Sequence, residues 1–393
     1  MAKRKNQIIF CVMFAAYTSI YIARLNLSIA GPEMIKTSVI DAAQIGILGS
    51  IFSTVFAIGR LINGFLSDSA PPWRMLTIGL GVAGISNICI GAFPPVMGMF
   101  VLWGANAFAQ SMLWSAILCV ITSVFDEKSA KRKMAIMITS VSVGNILGIV
   151  LNTFFVMKFG VKYAFCLPGF ITLLLGVAAF LTTRHIKINS GKTENHISVF
   201  GLFKNREILK MSIPAMLHGV MKENVSLWMT AFVIDTYAVD LTTSAYYILL
   251  IPICGFIGRI AYPPIYKACS NSENKVSQTG FAVCITVAAI LCIGHTGILT
   301  AVLALGIIYT AVSVINTSIL SIYPLNFADT GNSASVSGVM DLATYMGAGI
   351  SSVAYGYIIK HMGYTPMFMS WAIISAVSVW VLKNNKISKA RRS

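Results

Sequence analysis

Apolar segments long enough to cross a lipid bilayer recur along the whole chain, and this recurrence constrains the fold more than any other feature. A membrane-spanning helix needs about 20 apolar residues, each rising about 1.5 Å. Twelve such segments are present, at about 7–30, 44–67, 75–93, 97–123, 134–157, 163–183, 209–234, 241–266, 279–294, 297–323, 333–359 and 365–382. The sequence therefore predicts an all-α membrane protein with twelve transmembrane helices.

The longest polar interruption divides the twelve segments into two sets of six. We predict an N-terminal six-helix bundle at 1–183, a cytoplasmic linker at 184–208, a C-terminal six-helix bundle at 209–382 and a basic cytoplasmic tail at 383–393. The stretch IGRLINGFLSD, which begins at position 58, recurs as IGRIAYPPIYK from position 257, an offset of 199 residues. Such an internal repeat is typical of transporters built from two parallel six-helix halves.

Basic residues are distributed unevenly between alternate loops. With a cytoplasmic N-terminus, the predicted outer loops hold only four lysines, Lys36, Lys158, Lys162 and Lys360. Cytoplasmic loops normally carry the excess of Lys and Arg, so we expect both termini in the cytoplasm and a multi-pass protein of the inner membrane. The net charge of +16 is then an orientation signal, and we expect no nucleic-acid partner and a monomer.

The sequence contains no catalytic or cofactor-binding pattern. The five histidines are scattered and lie mostly in predicted loops, and the eight cysteines lack metal-ligand spacing. A Walker A sequence is also absent, so this chain itself is not expected to hydrolyse ATP. We predict neither enzyme activity nor a cofactor.

Arg24 lies near the middle of the first apolar segment. Insertion of an arginine at mid-membrane costs about 2.5–3.5 kcal/mol, and chains keep one there when it faces a partner, a cavity or a ligand. Tyr17 and Tyr21 precede it by seven and three residues and share its helical face. Arg24 is therefore a candidate ligand-binding residue, unless it snorkels to the headgroups or pairs with a structural acid.

The internal repeat relates Arg24 to a second charged site. An offset of 199 residues places Glu223 at the equivalent position, with Lys222 beside it. Asp341 is a further charge within a predicted span, near Gly338 and Gly347, which favour close helix packing. Glu223 and Asp341 are candidates for coupling or substrate contact, although Asp341 is structural if Lys222 or Arg24 neutralises it.

The loop GFLSDSAPPWRML joins the second and third predicted helices. Gly64 permits close helix approach, and Asp68 is suited to capping a helix or pairing with a basic residue. We predict that Gly64 and Asp68 serve conformational gating on the cytoplasmic face.

Together these residues resemble the major facilitator superfamily. Gly64-x-x-x-Asp68 resembles its signature between helices 2 and 3, and the whole chain is most similar to its organophosphate:phosphate antiporters, which include glycerol-3-phosphate and hexose-phosphate transporters. Tyr21-x-x-Arg24-x-Asn26 and the helix-4 stretch Trp103-Gly104-x-Asn106-x-x-x-Gln110-x-Met112-x-Trp114 carry the likeness. The resemblance implies two pseudo-symmetric six-helix bundles around a central cavity.

The resemblance also implies a set of substrate-binding residues, which are Arg24, Lys222, Tyr17, Tyr21, Arg60, Gln110, Trp114, Tyr309 and Tyr345. Arg60 stands where the family has a lysine, and Lys222 stands where it has a second phosphate-binding arginine. Lysine is a point charge and does not clamp an oxyanion bidentately, so the Lys222 site departs from the family pattern.

The function implied is secondary active transport of a small organic anion by alternating access, with a phosphorylated metabolite exchanged for inorganic phosphate. We expect Arg24 and Lys222 to bind the same anion. Two alternatives stay open. A proton-coupled symporter of a carboxylate or zwitterion would use Glu223 or Asp341, and a receptor would bind its anion without transport.

Overall fold

The computed structural model describes residues 2–66, 70–186, 205–292, 297–330 and 333–384, and these ranges contain helices and turns without a β-strand. The helices of the first half are α1 (Ala2–Lys36), α2 (Ala42–Leu66), α3 (Pro72–Gly91), α4 (Val96–Ser111), α5 (Leu113–Val124), α6 (Glu127–Phe159) and α7 (Val161–Thr183). Those of the second half are α8 (Arg206–Tyr237), α9 (Leu241–Ile248), α10 (Leu250–Ala268), α11 (Glu273–Cys292), α12 (Ile298–Asn316), α13 (Ser333–Met362) and α14 (Thr365–Lys383).

Each predicted apolar segment coincides with one helix or with two consecutive helical pieces. The fourth segment is interrupted at Met112, which separates α4 from α5, and the eighth at Leu249, which separates α9 from α10. The tenth continues beyond α12 as a π-helical turn at Thr317–Ile322 and a 3-10 segment at Tyr323–Thr330. The all-helical fold prediction is confirmed.

Ten regions of the described chain are long and apolar enough to cross a membrane. The helices α8 and α13 are not among them, although they contain 32 and 30 residues. Charged residues in α8 and small polar residues in α13 lower their hydropathy, so the count of twelve spans stays a prediction for these two helices.

Local hydrogen bonds explain where several helices begin and end. Asp41 and Gln44 form a reciprocal capping box before α2, because each side chain accepts the backbone N–H of the other at 2.8 and 2.9 Å. Asp126 caps α6 by accepting the Ser129 N–H at 3.1 Å, and hydrogen bonds from the Ser129 side chain and backbone hold the Asp126 pKa below its ordinary value. Gly160 ends α6 with a φ of +96°, which favours glycine.

The chain forms two compact units. The first contains residues 1–192 and 238–245, and the second contains 193–237 and 246–393. In the first unit α1 packs against α6 and α7, α2 against α4, and α3 against α4 and α7. In the second, α8 packs against α13 and α14, α10 against α12, and α11 against α12 and α14. The same order of pairing occurs in both units, so the helix packing repeats along with the sequence.

Glycines bring α8 and α13 into backbone contact. A Cβ added at Gly219 would overlap the Thr344 carbonyl oxygen, and one added at Gly347 would overlap that of Met216. Close approach of this kind is a common way for membrane helices to associate. At Gly64 an added Cβ would meet no described atom within 4 Å, and the close helix approach expected there stays a prediction.

Candidate anion-binding site

Two arginines from different helices lie against one pair of stacked phenylalanine rings in the first unit. Phe52 and Phe56 are one turn apart on α2, and their ring centroids are 5.7 Å apart. The guanidinium carbon of Arg24 lies 4.4 Å from the Phe52 centroid and 5.5 Å from the Phe56 centroid. That of Arg60 lies 5.8 Å from the Phe56 centroid. The structure thus brings Arg24 and Arg60 to the same aromatic surface.

This surface can concentrate positive charge within the membrane-spanning part of the unit. Each cation–π contact is worth about 0.5–2 kcal/mol, which helps to hold a guanidinium away from bulk water. Both arginines are half-buried, whereas the Phe52 and Phe56 rings are buried. A planar guanidinium can also donate two parallel hydrogen bonds to a phosphate or carboxylate. The arrangement is therefore chemically suited to an anion, and most strongly to a dianion.

The predicted aromatic residues of α1 and α5 also come together. The Tyr17 ring centroid lies 5.4 Å from that of Tyr21 and 5.1 Å from that of Trp114. Tyr17 is buried, and the other two are half-buried. The three residues form one aromatic cluster, in which the tyrosine hydroxyls supply hydrogen-bond donors.

Gln110 lies on α4 and is 3% exposed. Its Nε2 donates to Asn106 Oδ1 at 3.0 Å, and Asn106 in turn accepts from Asn87 of α3. Asn87 and Asn106 were not among the predicted substrate-binding residues, although Asn106 belongs to the helix-4 motif that carries the family likeness. Amide side chains inside apolar spans were the signal that could have found them.

Lys222 of the second unit is paired with its neighbour on α8. Its Nζ lies 3.1 Å from Glu223 Oε1, and the two side chains are 22% and 13% exposed. The same Nζ lies 5.6 Å from the ring centroid of Tyr345 on α13. An anion that binds Lys222 must therefore compete with the Glu223 carboxylate.

The other predicted residues of the second unit lie on α12 and α13. Tyr309 is buried against Gly255, where an added Cβ would lie 2.8 Å from the tyrosine ring. Asp341 is half-buried and precedes Tyr345 by four residues, so the two share one side of α13.

His218 is a buried titratable residue that the sequence analysis missed, because it treated the histidines as scattered and mostly in loops. It is fully buried in α8, one turn before Lys222.

The remaining predictions concern gating and metal binding. Gly64 is half-buried near the end of α2, and Asp68 lies outside the described residues. In the part of the chain that the structure describes, no group of three or more His, Cys, Asp or Glu side chains could hold a metal ion.

A family comparison agrees with this fold and with the motifs that resembled the superfamily. The sequence profile of the Major Facilitator Superfamily matches residues 9–352. The chain belongs to the Major Facilitator Superfamily, as predicted.

Within that superfamily, the chain is similar to individual transport and sensor proteins. The chain is 29% identical over 168 residues to the probable hexose phosphate transport protein of Chlamydia trachomatis, an alignment that covers 43% of this chain and 37% of that protein. It is 23% identical over 276 residues to the membrane sensor protein UhpC of Escherichia coli, covering 64% of this chain and 62% of the sensor. The alignments thus span less than two thirds of either relative.

A solved structure gives the same architecture. The crystal structure of a point mutant of the nucleoside transporter NupG matches with a TM-score of 0.82 and covers 96% of this chain and 99% of that one. The identity is 14%, so the likeness concerns the fold alone.

Proposed function

We propose that this chain is a secondary active transporter that exchanges a small phosphorylated metabolite for inorganic phosphate. The observation that carries the proposal is the pair of guanidinium groups, Arg24 and Arg60, held against Phe52 and Phe56 in apolar helices. Keeping two arginines there is costly unless a ligand or partner offsets their charge. A relative named for hexose phosphate transport supports the same choice of ligand.

In this proposal Arg24 and Arg60 bind phosphate in the first unit, and Lys222 is a candidate anion ligand in the second. The hydroxyls of Tyr17, Tyr21, Tyr309 and Tyr345 supply further hydrogen bonds, and Gln110 and Trp114 contact the remainder of the metabolite. Gly64 and Asp68 contribute to gating at the cytoplasmic face. The transporter acts as a monomer in the inner membrane, with both termini in the cytoplasm.

Exchange follows from the charge of the empty site. Without an anion, the conformational change must carry the guanidinium charges through a less polar environment, which is unfavourable. A bound dianion neutralises them, so the loaded protein can rearrange and release its cargo on the other side. Inorganic phosphate satisfies the same groups and permits the return step.

Proteoliposomes test this proposal directly. Vesicles that contain the purified chain and internal phosphate should take up external labelled glucose 6-phosphate, and vesicles without internal phosphate should not. The Arg24→Ala variant, reconstituted in equal amount, should show no uptake. Uptake that persists without any internal anion would contradict exchange.

The Lys222–Glu223 ion pair favours a second candidate, proton-coupled symport. Protonation of Glu223 would release Lys222 for the anion and couple the two ligands. In this case uptake needs no internal phosphate and increases with an inward proton gradient. Asp341 is the alternative proton carrier, and Asp341→Asn would remove the gradient dependence that Glu223→Gln retains.

The sensor relative favours a third candidate, a receptor that binds phosphate esters without transporting them. Thermal stabilisation of the purified chain by glucose 6-phosphate, together with no flux in proteoliposomes under either gradient, would support this candidate over the two transporters.

A further inference from the structure

Two arginines and two aromatic side chains form a continuous surface where α3 begins and α7 ends. The Arg74 guanidinium carbon lies 5.1 Å from the ring centroid of Trp73, its neighbour on α3. The rings of Trp73 and Phe180 meet edge to face with their centroids 5.7 Å apart, and this contact joins α3 to α7. The Arg184 guanidinium carbon lies 5.6 Å from the Phe180 centroid. Helix packing thus gathers two cations at one end of the α3–α7 pair.

Both guanidinium groups are accessible to a ligand. Arg74 and Arg184 are exposed, whereas Trp73 and Phe180 are half-buried. Among the described residues, neither arginine has a carboxylate within ion-pair distance. Arg184 Nε donates to His185 Nε2 at 2.9 Å, which leaves the two terminal guanidinium nitrogens as donors. An anion at this end of the helices would therefore meet two cations without displacing an acid.

An apolar stripe continues from each arginine along its own helix. Ile78 follows Arg74 by four residues and Leu181 precedes Arg184 by three, so each shares a helical face with its arginine. Both are exposed, and large exposed apolar side chains continue the two faces at Val82 and Ile85 of α3 and at Leu174 and Val177 of α7. Both helices are long and apolar enough to cross a membrane. These faces therefore meet acyl chains, and the arginines lie at the level of the headgroups.

The second unit lacks this arrangement at the corresponding place. There α11 packs against α14 as α3 packs against α7. The first residue of α11 is Glu273, a buried carboxylate that accepts a hydrogen bond from the Tyr266 hydroxyl at 2.8 Å, and α14 ends at Lys383. An acid and a lysine stand where the first unit has two arginines. The repeat alone therefore does not account for the paired guanidinium groups.

We infer that the surface formed by Arg74, Trp73, Phe180 and Arg184 binds the headgroup of an anionic phospholipid. The lipid phosphate accepts hydrogen bonds from the two guanidinium groups, and the acyl chains lie along the apolar stripes of α3 and α7. A free phosphate ion would satisfy the arginines but leave the adjoining apolar faces unused, so a lipid is the better match. The indole ring of Trp73 suits the same depth, because tryptophan favours the membrane–water interface.

Native mass spectrometry of the purified chain tests this inference, with phosphatidylglycerol and phosphatidylcholine of identical acyl chains as probes. We expect the double variant Arg74→Gln/Arg184→Gln to bind phosphatidylglycerol about thirtyfold more weakly than wild type, roughly fivefold for each arginine, and phosphatidylcholine unchanged. Lys383→Gln is the matched control for Arg184→Gln, because it removes one exposed charge at the corresponding end of α14. The control should bind phosphatidylglycerol within about twofold of wild type.

Three results would overturn the inference. Equal losses in Arg184→Gln and Lys383→Gln would show that binding follows net charge. Equal binding of the two lipids by wild type would show that the arginines do not select an anionic headgroup. Displacement of phosphatidylglycerol by excess inorganic phosphate would identify a site for a soluble anion. If the double variant fails to fold, Arg184→Gln against its control decides. The site lies on helices other than those of Arg24 and Arg60, so none of these results bears on the proposed transport.

Discussion

Replacing Glu223 by glutamine should make the site bind anions more tightly. Glu223 holds Lys222 at 3.1 Å, and both side chains are largely shielded from solvent. Glutamine has nearly the same shape and can still accept a hydrogen bond from Lys222, but it carries no charge. The substitution therefore removes a competitor for the lysine and leaves the packing of α8 almost unchanged.

The geometry gives the size of the effect. Two unit charges 3.1 Å apart attract by roughly 5 kcal/mol at an effective dielectric constant of about 20. Desolvation of both groups offsets much of this attraction, and the glutamine retains part of the remainder. We expect a net gain of about 1.4–2.8 kcal/mol in anion binding, which is about ten- to a hundredfold in Kd.

Titration of purified Glu223→Gln with glucose 6-phosphate measures this gain. Glu33→Gln is the matched control, because Glu33 also pairs with a lysine, Lys36, but at 3.8 Å and with side chains that are 38% and 78% exposed. The control should bind as the wild type does. If Glu223→Gln binds no more tightly than the control, Lys222 is not an anion ligand.

Three further outcomes are expected. Arg24→Ala should weaken phosphate-ester binding about ten- to a hundredfold through loss of a charge-assisted hydrogen bond, and Arg24→Lys should recover part of it; calorimetry measures both. Lys222→Arg should bind at least as tightly as wild type in the same assay, and the phosphate site is wrong if Lys222→Ala binds better than Lys222→Arg. Gly219→Ala should lower Tm by about 5 °C or more because its Cβ meets backbone at Thr344, whereas Gly64→Ala should stay within about 1 °C; similar shifts for both would contradict the packing argument.

The sequence predicted the helices well because the bilayer itself sets their length and composition. It did not predict the interruptions at Met112 and Leu249, since no proline or glycine occupies either position. Apolar length alone does not settle that α8 and α13 span the bilayer, because some of their polar side chains have partners that only the packed structure supplies. Asn224 of α8, for example, donates to Ser351 of α13 at 2.7 Å.

Parts of the candidate site could also be predicted from the sequence. Phe52, Phe56 and Arg60 follow each other at intervals of four residues and must share one face of α2. The meeting of Arg24 with that face depends on how α1 packs in the unit, which periodicity cannot give. The hydrogen bonds among Asn87, Asn106 and Gln110 could not be predicted from periodicity either. Their direction depends on the carbonyl of Ala83, one turn before Asn87, and on how the helices pack.

The backbone contact between α8 and α13 limits how the second unit can move. At Gly219 and Gly347 main chain faces main chain, with no side chain between the helices to repack, so we expect α8 and α13 to move together. Lys222 and Tyr345 are therefore carried as one rigid body. A pair of spectroscopic labels on α8 and α13 should report an unchanged separation in the empty and loaded protein, even while other helices of the unit rearrange.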